Sequence, residues 1–228
     1  QVASGMAELG RAGFKAADIL KAIPDVLNLA RATSTELAMA TEIAGNTLRG
    51  FSLEAKDMTR VVDVLSATAN NSSQKLEDIG FALSYVAPIA ADAGESLEDT
   101  ATALGLLANN AIKGSSAGTA LSRAYKNLAT ASAQDALKKV GVAVDNGTGG
   151  FRKLSEILVD LGNNTKNLGS IERLGIFETL FGRASAAASK LSQASAQFKD
   201  LGDKIKYSSG IAALTAKIMD AELGGAFR

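Results

Sequence analysis

Between Gly105 and Leu121 the chain reads GLLANNAIKGSSAGTAL, and little but closely spaced helices can be built from it. A run of small and aliphatic residues stops at Lys113-Gly114 and restarts through Ser115-Ser116 into Ala117-Gly118-Thr119-Ala120-Leu121. Gly114 suits the left-handed position that ends a helix, where a residue without a Cβ meets no steric penalty. The serines after it suit the cap of the next helix. Alanine, glycine and serine around the junction let two helix backbones approach closely. Nothing in the segment is chemically reactive, so it reads as a packing device.

Helical periodicity continues on both sides. Met58, Val61, Val62 and Leu65 recur at i, i+3, i+4, i+7, the spacing of one helix face. Glu54, Asp57, Arg60 and Asp63 cover much of the rest, and Ser52 is a natural N-cap. Leu76, Ile79, Leu83 and Val86 mark the next helix, entered through Ser72-Ser73. Pro88 predicts a kink or break there, because proline lacks a donor and crowds the preceding turn. Ser96-Leu97-Glu98-Asp99 resembles a capping box and opens a helix to Ile112. Leu121, Ala124, Tyr125 and Leu128 give the following face. Near the start, a helix around residues 15–22 is followed by a short one from Pro24 to Arg31, with proline at its first position. Thr33-Ser34-Thr35-Glu36 starts another.

Residues 140–152 break the period. Val142-Ala143-Val144 leads into Asp145-Asn146-Gly147, and Asn-Gly is a strong tight-turn signal. Gly141 precedes the run, and Gly149-Gly150-Phe151 returns as a second short strand, so a small β-hairpin is expected near 142–152, held against helices. Leu154, Ile157, Leu158 and Leu161 resume the helical face. From Arg183 the composition shifts to Ala, Ser, Lys and Gln. Ala184, Leu191, Phe198 and Ile205 stand seven apart, which fits either an amphipathic helix on the same domain or a self-association seam with a partner chain. Ile211, Leu214, Ile218 and Ala221 fall out of phase, which predicts a break near Ser208-Ser209-Gly210. The last residues, 224–228, read as a linker or frayed end.

Composition removes several function classes. Histidine and cysteine are both 0, which removes the usual general base, the commonest metal ligand and thiolate chemistry. Lys+Arg and Asp+Glu are 24 each, so the basic stripe of a specific nucleic-acid binder is not expected. The 46% hydrophobic content is rich in alanine and only 5% of residues are aromatic. A thin core with short interaxial distances follows, since each helix buries modest area at ~25 cal/mol per Å². No apolar run approaches the ~18 residues of a membrane span. The chain does not begin with Met and reads as a piece of a longer protein rather than one with a trimmed start.

Candidate chemical sites reduce to structure. Glu95, Glu98 and Asp99 cluster, but at a helix start, where negative charge meets the positive end of the dipole. Asp145-Asn146-Gly147-Thr148-Gly149 lacks the later ligands of a calcium loop and fits a turn. Lys113-Gly114-Ser115-Ser116 has the letters of a phosphate loop in the wrong order. No catalytic set, metal ligand set or cofactor site emerges, and no enzymatic activity is expected.

The segment 105–121, together with Gly13-Phe14-Lys15-Ala16-Ala17-Asp18-Ile19, Tyr85-Val86-Ala87-Pro88-Ile89-Ala90, Gly141-Val142-Ala143-Val144 and the run from Phe151 to Leu158, resembles the core region of phage tail tape measure proteins in order and spacing over residues 13–183. Gly114, Gly118, Thr119 and Leu121 match best, then Gly141 and Phe181-Gly182. The family tends to follow its Gly-Thr pair with Leu-Arg, whereas Ser122 here separates Leu121 from Arg123. The resemblance implies a structural role in tail assembly and tail-length determination, with departure from the tube at DNA ejection. It implies a place in the tail tube lumen of the virion after assembly in the host cytoplasm. Implied partners are tail tube and tail-tip proteins, tail assembly chaperones, and copies of the chain itself as a trimer or hexamer, with membrane contact only at infection.

The expected architecture is therefore all-α: a multi-helix bundle of short antiparallel helices with one small hairpin. It divides into a helical domain over 1–182 and an Ala/Ser-rich helical extension over 183–228. Expected packing and turn positions are Pro88, Gly114, Gly118, Thr119, Leu121, Gly141, Asn146, Gly147 and Gly182. A continuous helix of this length would span about 340 Å at 1.5 Å per residue, but caps and breakers recur too often for that rod. A membrane-active helical effector or pore-forming module is the alternative. Its mixed-sign polar faces and lack of Trp argue against it.

Overall fold

The structure, a computed structural model, describes residues 2–11, 13–192 and 195–226, apart from the side chains of 2–5, 8, 187, 190, 191, 195 and 222–226. Helices follow one another as α1 (Val2–Arg11), α2 (Ala16–Ala32), α3 (Leu37–Gly50), α4 (Met58–Asn71), α5 (Leu76–Asp92), α6 (Leu97–Asn109) and α7 (Gly114–Leu128). Then come α8 (Ala131–Lys139), α9 (Leu154–Thr165), α10 (Ser170–Phe181), α11 (Ser185–Leu191), α12 (Ser195–Lys206) and α13 (Ile211–Ala226). The faces expected at helical spacing are buried: Met58, Val61, Val62 and Leu65 on α4, and Leu121, Ala124, Tyr125 and Leu128 on α7.

These faces meet in one hydrophobic cluster that runs from Leu9 to Ala212. The broadest helix–helix contact is α5 against α7, with α3 on the other side of α5. The C-terminal helices fold back over earlier ones: α12 lies on α6 and α4, and α13 on α2 and α4. The predicted break before α13 is present, but the face expected there is not the buried one. Leu214 and Ile218 are exposed, and α13 packs through Ala212 and Ala216. Gly224 to Ala226 continue this helix, and residues 227 and 228 lie outside the described residues.

The expected β-hairpin is not formed: among the described residues there is no strand, only an isolated antiparallel bridge between Asp145 and Phe151. The Asn146 N–H donates to the Gly150 carbonyl at 3.0 Å and the Arg152 N–H to the Val144 carbonyl at 2.8 Å. Side-chain bonds close the rest of the loop. Asn146 Oδ1 accepts from the Thr148 N–H, the Thr148 hydroxyl and the Gly150 N–H. Since α9 begins at Leu154, no length remains for a second strand.

Both prolines lie inside continuous helices, Pro24 in α2 and Pro88 in α5, against the expected helix start and break. Each is on the solvent side, and the carbonyls they leave unpaired belong to Leu20 and Ser84, which are also exposed. Water can satisfy those groups, so the helix continues. Ser52 does not cap α4. It takes a left-handed φ of 53° that ends α3, while Glu54 and Asp57 lead into α4 through a 3-10 turn at Ala55–Asp57.

The α6–α7 junction also differs in register. α6 stops at Asn109 rather than Ile112, and the left-handed residue behind it is Ala111, with φ 67°. The Ile112 N–H returns to the Leu107 carbonyl at 3.0 Å. Gly114 is left-handed too, φ 55°, but it opens α7 instead of closing α6. Ser115 and Ser116 are exposed in the first turn, and the cap residue is the extended Lys113.

Candidate interaction site at the α5–α7 crossing

The uninterrupted small residues of α7 put its backbone directly on α5. A Cβ on Gly118 would lie 2.8 Å from the Ala82 Cα and closer still to the Ala82 carbonyl oxygen. Real Cβ atoms do not approach that closely, and the obstacle is backbone, which cannot rotate away. The opposite side of α5 is similar in kind. A Cβ on Gly50 would meet the Ala87 Cβ at 2.7 Å, and one on Gly80 would meet the Ile43 side chain at 2.7 Å. α5 is thus clasped between α3 and α7 at positions where a side chain is missing. Leu121 is buried beside this contact, and Thr119 points outward.

α10 closes the far end of α7. Phe177 and Phe181 are both buried, their rings stacked with centroids 6.4 Å apart. Asn127 of α7 donates to the Thr179 carbonyl at 2.7 Å and the Leu180 carbonyl at 3.0 Å. Those are carbonyls a helix end leaves without partners. Gly182 then turns the chain with φ 57°, and a Cβ there would lie 2.8 Å from Arg123 Cζ. The bare glycine lets the guanidinium stem lie across the turn.

Two grooves flank α5. One of about 700 Å³ lies towards α7 and is lined by Tyr85, Ile112, Lys113, Thr119, Arg123 and Arg183 among others. The second, about 400 Å³, lies towards α3 and is lined by Met39, Glu42, Glu77, Phe81, Ser84 and Pro88 among others. Lys113 Nζ donates to the Ser73 carbonyl.

The acidic cluster at the start of α6 ties that helix to others. Ser96 Oγ accepts from the Asp99 N–H at 3.0 Å as the N-cap, and Asp99 also pairs with Lys153 at 2.5 Å. Glu98 takes two hydrogen bonds from Arg60 of α4, 2.6 and 2.7 Å. Burial pushes the Glu98 carboxyl up, but the Arg60 contacts outweigh it and hold it below its ordinary value. Glu95 is 8% exposed and its Oε1 accepts from the Leu154 N–H, the first residue of α9, at 2.5 Å. Burial pushes the Glu95 carboxyl up, and the backbone bond only partly offsets it. Nearby Tyr125 is pushed well above its ordinary value by burial and then by the charges of Glu95 and Asp99. These carboxylates start helices and link them, which extends the dipole role expected from the sequence.

The sequence places Asp63 with Glu54, Asp57 and Arg60 on the polar side of the helix expected around α4, and the structure buries it. It is 4% exposed, and its two oxygens accept from the Gly210 N–H at 2.7 Å and the Ala212 N–H at 3.1 Å. A carboxylate on α4 thus caps α13. Its placement between Val61-Val62 and Val64-Leu65 was the available signal. Sequence reasoning overlooked Phe81, four residues before Tyr85, which is 60% exposed.

The remaining expected positions are structural turns and packing sites. Gly141, φ 71°, ends α8, with the Val142 N–H on the Leu137 carbonyl at 2.9 Å. Gly147, φ 84°, follows Asn146 in the 145–151 loop, and Pro88 is exposed on α5. The heptad spans two helices rather than one. Ala184 precedes α11, Phe198 and Ile205 lie on α12, and all three are buried inside the chain. The surface expected as a seam is occupied there by this chain's own core. The Leu191 side chain falls outside the described residues. No group of three or more Asp or Glu residues suited to a metal ion occurs among the described residues.

The family described as phage-related minor tail protein matches residues 1–182. A tape measure protein of Pneumococcus phage Dp-1 is 32% identical over 187 residues, 81% of this chain and 16% of that protein. A probable tape measure protein of Escherichia phage P2 is 33% identical over 227 residues, 96% of this chain and 28% of that protein. The chain therefore spans well under half the length of these relatives. No solved structure matches.

Proposed function

Because this chain belongs to the phage-related minor tail protein family, we propose that it is a structural segment of a tail tape measure protein, the whole of which acts in tail assembly and tail-length determination. The observation that carries this is the family match across residues 1–182, supported by two tape measure relatives at 32% and 33% identity. The packing supports a mechanical role for the segment. Helices are locked at Gly118, Gly80 and Gly50, and the carboxylates at the start of α6 hold helix starts and cations.

In that role the segment is a folded unit within a longer tape, not the stretch that counts length. Its partners are tail tube and tail-tip proteins and the tail assembly chaperones, with several copies, three or six, sharing one particle. It resides in the tail tube of the virion after assembly in the host cytoplasm and leaves ahead of DNA. The membrane-active alternative has less support: among the described residues no helix is long and apolar enough to cross a membrane.

Deleting this segment in frame from the phage gene and imaging the particles tests the proposal. As a folded assembly unit, its loss leaves tails absent or misassembled. Normal tails shortened by about 340 Å, the length of 228 residues at 1.5 Å each, would instead make it part of the ruler. Unaltered tails would remove it from assembly altogether.

A further inference from the structure

α5 is apolar nearly all round, and the structure covers its inner face and both flanks but leaves the outer face bare. Residues 79–91 contain no charged side chain. The inner stripe, Leu76, Ile79, Leu83, Val86 and Ala90, is buried in the core. The outer stripe is Phe81, Ser84, Tyr85 and Pro88, at i, i+3, i+4, i+7, and all four are exposed, Phe81 by 60% and Tyr85 by 54%. A helix apolar on all sides ordinarily has neighbours on all sides. The outer stripe is about two turns of uncovered ridge with a groove on each flank.

The two flanks carry opposite charge. Towards α7 the groove wall presents Lys113, Arg123 and Arg183. Neither Arg123 nor Arg183 has an ion pair or hydrogen bond among the described residues, and Lys113 meets only a neutral carbonyl. No carboxylate residue lines this groove among the described residues. Towards α3 the wall presents Glu42 and Glu77, also without an ion pair among the described residues. Across the ridge the sign therefore changes from positive to negative.

We infer that the outer face of α5 is the docking strip for an amphipathic helix of a partner protein, seated by its apolar stripe on Phe81, Tyr85 and Pro88. The partner's acidic edge faces Arg123 and Arg183. Helix-in-groove recognition uses the i, i+3, i+4, i+7 anchors that α5 displays. Charge complementarity then fixes which way round the partner lies. A polyanion such as nucleic acid fits less well, because half of the strip is apolar and its far wall is acidic. The inference uses only this chain's own surface and holds whether or not the tail role does.

Two synthetic helical peptides of about 18 residues, five turns, test it by fluorescence anisotropy on the intact chain. Both carry leucines at i, i+3, i+4, i+7; the first has Glu along one flank and Lys along the other, matching the two walls, and the second has Lys along both. The Glu-flanked peptide is expected to bind at least about tenfold more tightly, the ratio set by about 1.4 kcal/mol. Arg123→Glu with Arg183→Glu should reverse that preference, and Phe81→Ser with Tyr85→Ser should weaken both peptides about tenfold or more. These four residues are surface positions, and circular dichroism confirms that the variants fold. Equal binding of the two peptides, binding by neither, or a preference unmoved by the arginine reversal overturns the inference. A concentration-dependent dimer abolished by Phe81→Ser with Tyr85→Ser would assign the strip to a second copy of this chain and overturn it too. So would tighter binding of a single-stranded DNA oligonucleotide that depends on Arg123 and Arg183.

Discussion

α7 and α13 are both attached to a central helix, but by different physics. α7 meets α5 at bare backbone, with Gly118 over Ala82. α13 packs on α2 and α4 through Ala212 and Ala216, and its start is pinned to α4 by one carboxylate, with Asp63 holding the Gly210 and Ala212 N–H groups. The first contact depends on a missing side chain and cannot accept even a methyl group. The second adds a charge-assisted pair of hydrogen bonds at a helix start, a local bond whose loss leaves the packing around it intact. In this chain, shape holds the middle and a polar latch holds the end.

The largest expected effect is on the shape-locked contact. Gly118→Ala should destabilise the fold by about 3 kcal/mol, the upper end for overpacking against an obstacle that cannot move, read as a lower urea midpoint. A Cβ on Gly175 in α10 would meet nothing within 4 Å, so Gly175→Ala should instead stabilise by about 0.5–1 kcal/mol through helix propensity. Equal effects at the two glycines would remove the distinction between close approach and ordinary helical glycine.

Asp63→Ala should cost less, about 2 kcal/mol, the sum of a lost cap and the buried Ala212 N–H left without an acceptor. Hydrogen exchange should show the loss as faster exchange at Gly210 and Ala212 while α5 and α7 stay protected. Uniform acceleration across the chain would mean that α13 is not separately latched.

Glu95 sharpens the contrast because its latch is strained by burial. Its carboxyl is raised above 4.5, so the folded state holds the proton more tightly than the unfolded chain. Its contribution is full below 4.5 and is lost as pH rises through the folded value. Urea melts of wild type and Glu95→Gln should therefore move in favour of the glutamine variant between pH 4.5 and 7. Glu98 has the opposite sign. It is held below 4.5 by Arg60 despite burial, and its stabilisation is lost as pH falls through the folded value. Arg60→Met should thus cost about 1 kcal/mol at pH 7, a half-exposed pair being discounted for solvent, and the loss should shrink in acid.

What the sequence made readable follows from the same contrast. Apolar faces such as Met58-Val61-Val62-Leu65 and the close-packing glycine at 118 leave periodic or compositional marks. Local side-chain bonds do not. Asn146 gathers three donors and replaces a hairpin by a closed loop. Ala111 takes the left-handed position that glycine three residues later was expected to fill. Pro24 and Pro88 pass through helices at exposed positions, each four residues after another exposed residue. Asp63, Glu95 and their targets are separated by 147 and 59 residues, beyond any local pattern. The outer stripe of α5 was readable, since Phe81 and Tyr85 share a helix face, but only burial on the opposite side shows that it is the exposed one.

Small-angle X-ray scattering on this 228-residue chain in solution tests most directly whether the segment is a folded helical unit. A packed bundle of this length gives a radius of gyration of about 17 Å. A maximum dimension of hundreds of ångströms, approaching the roughly 340 Å of a continuous helix, would contradict it.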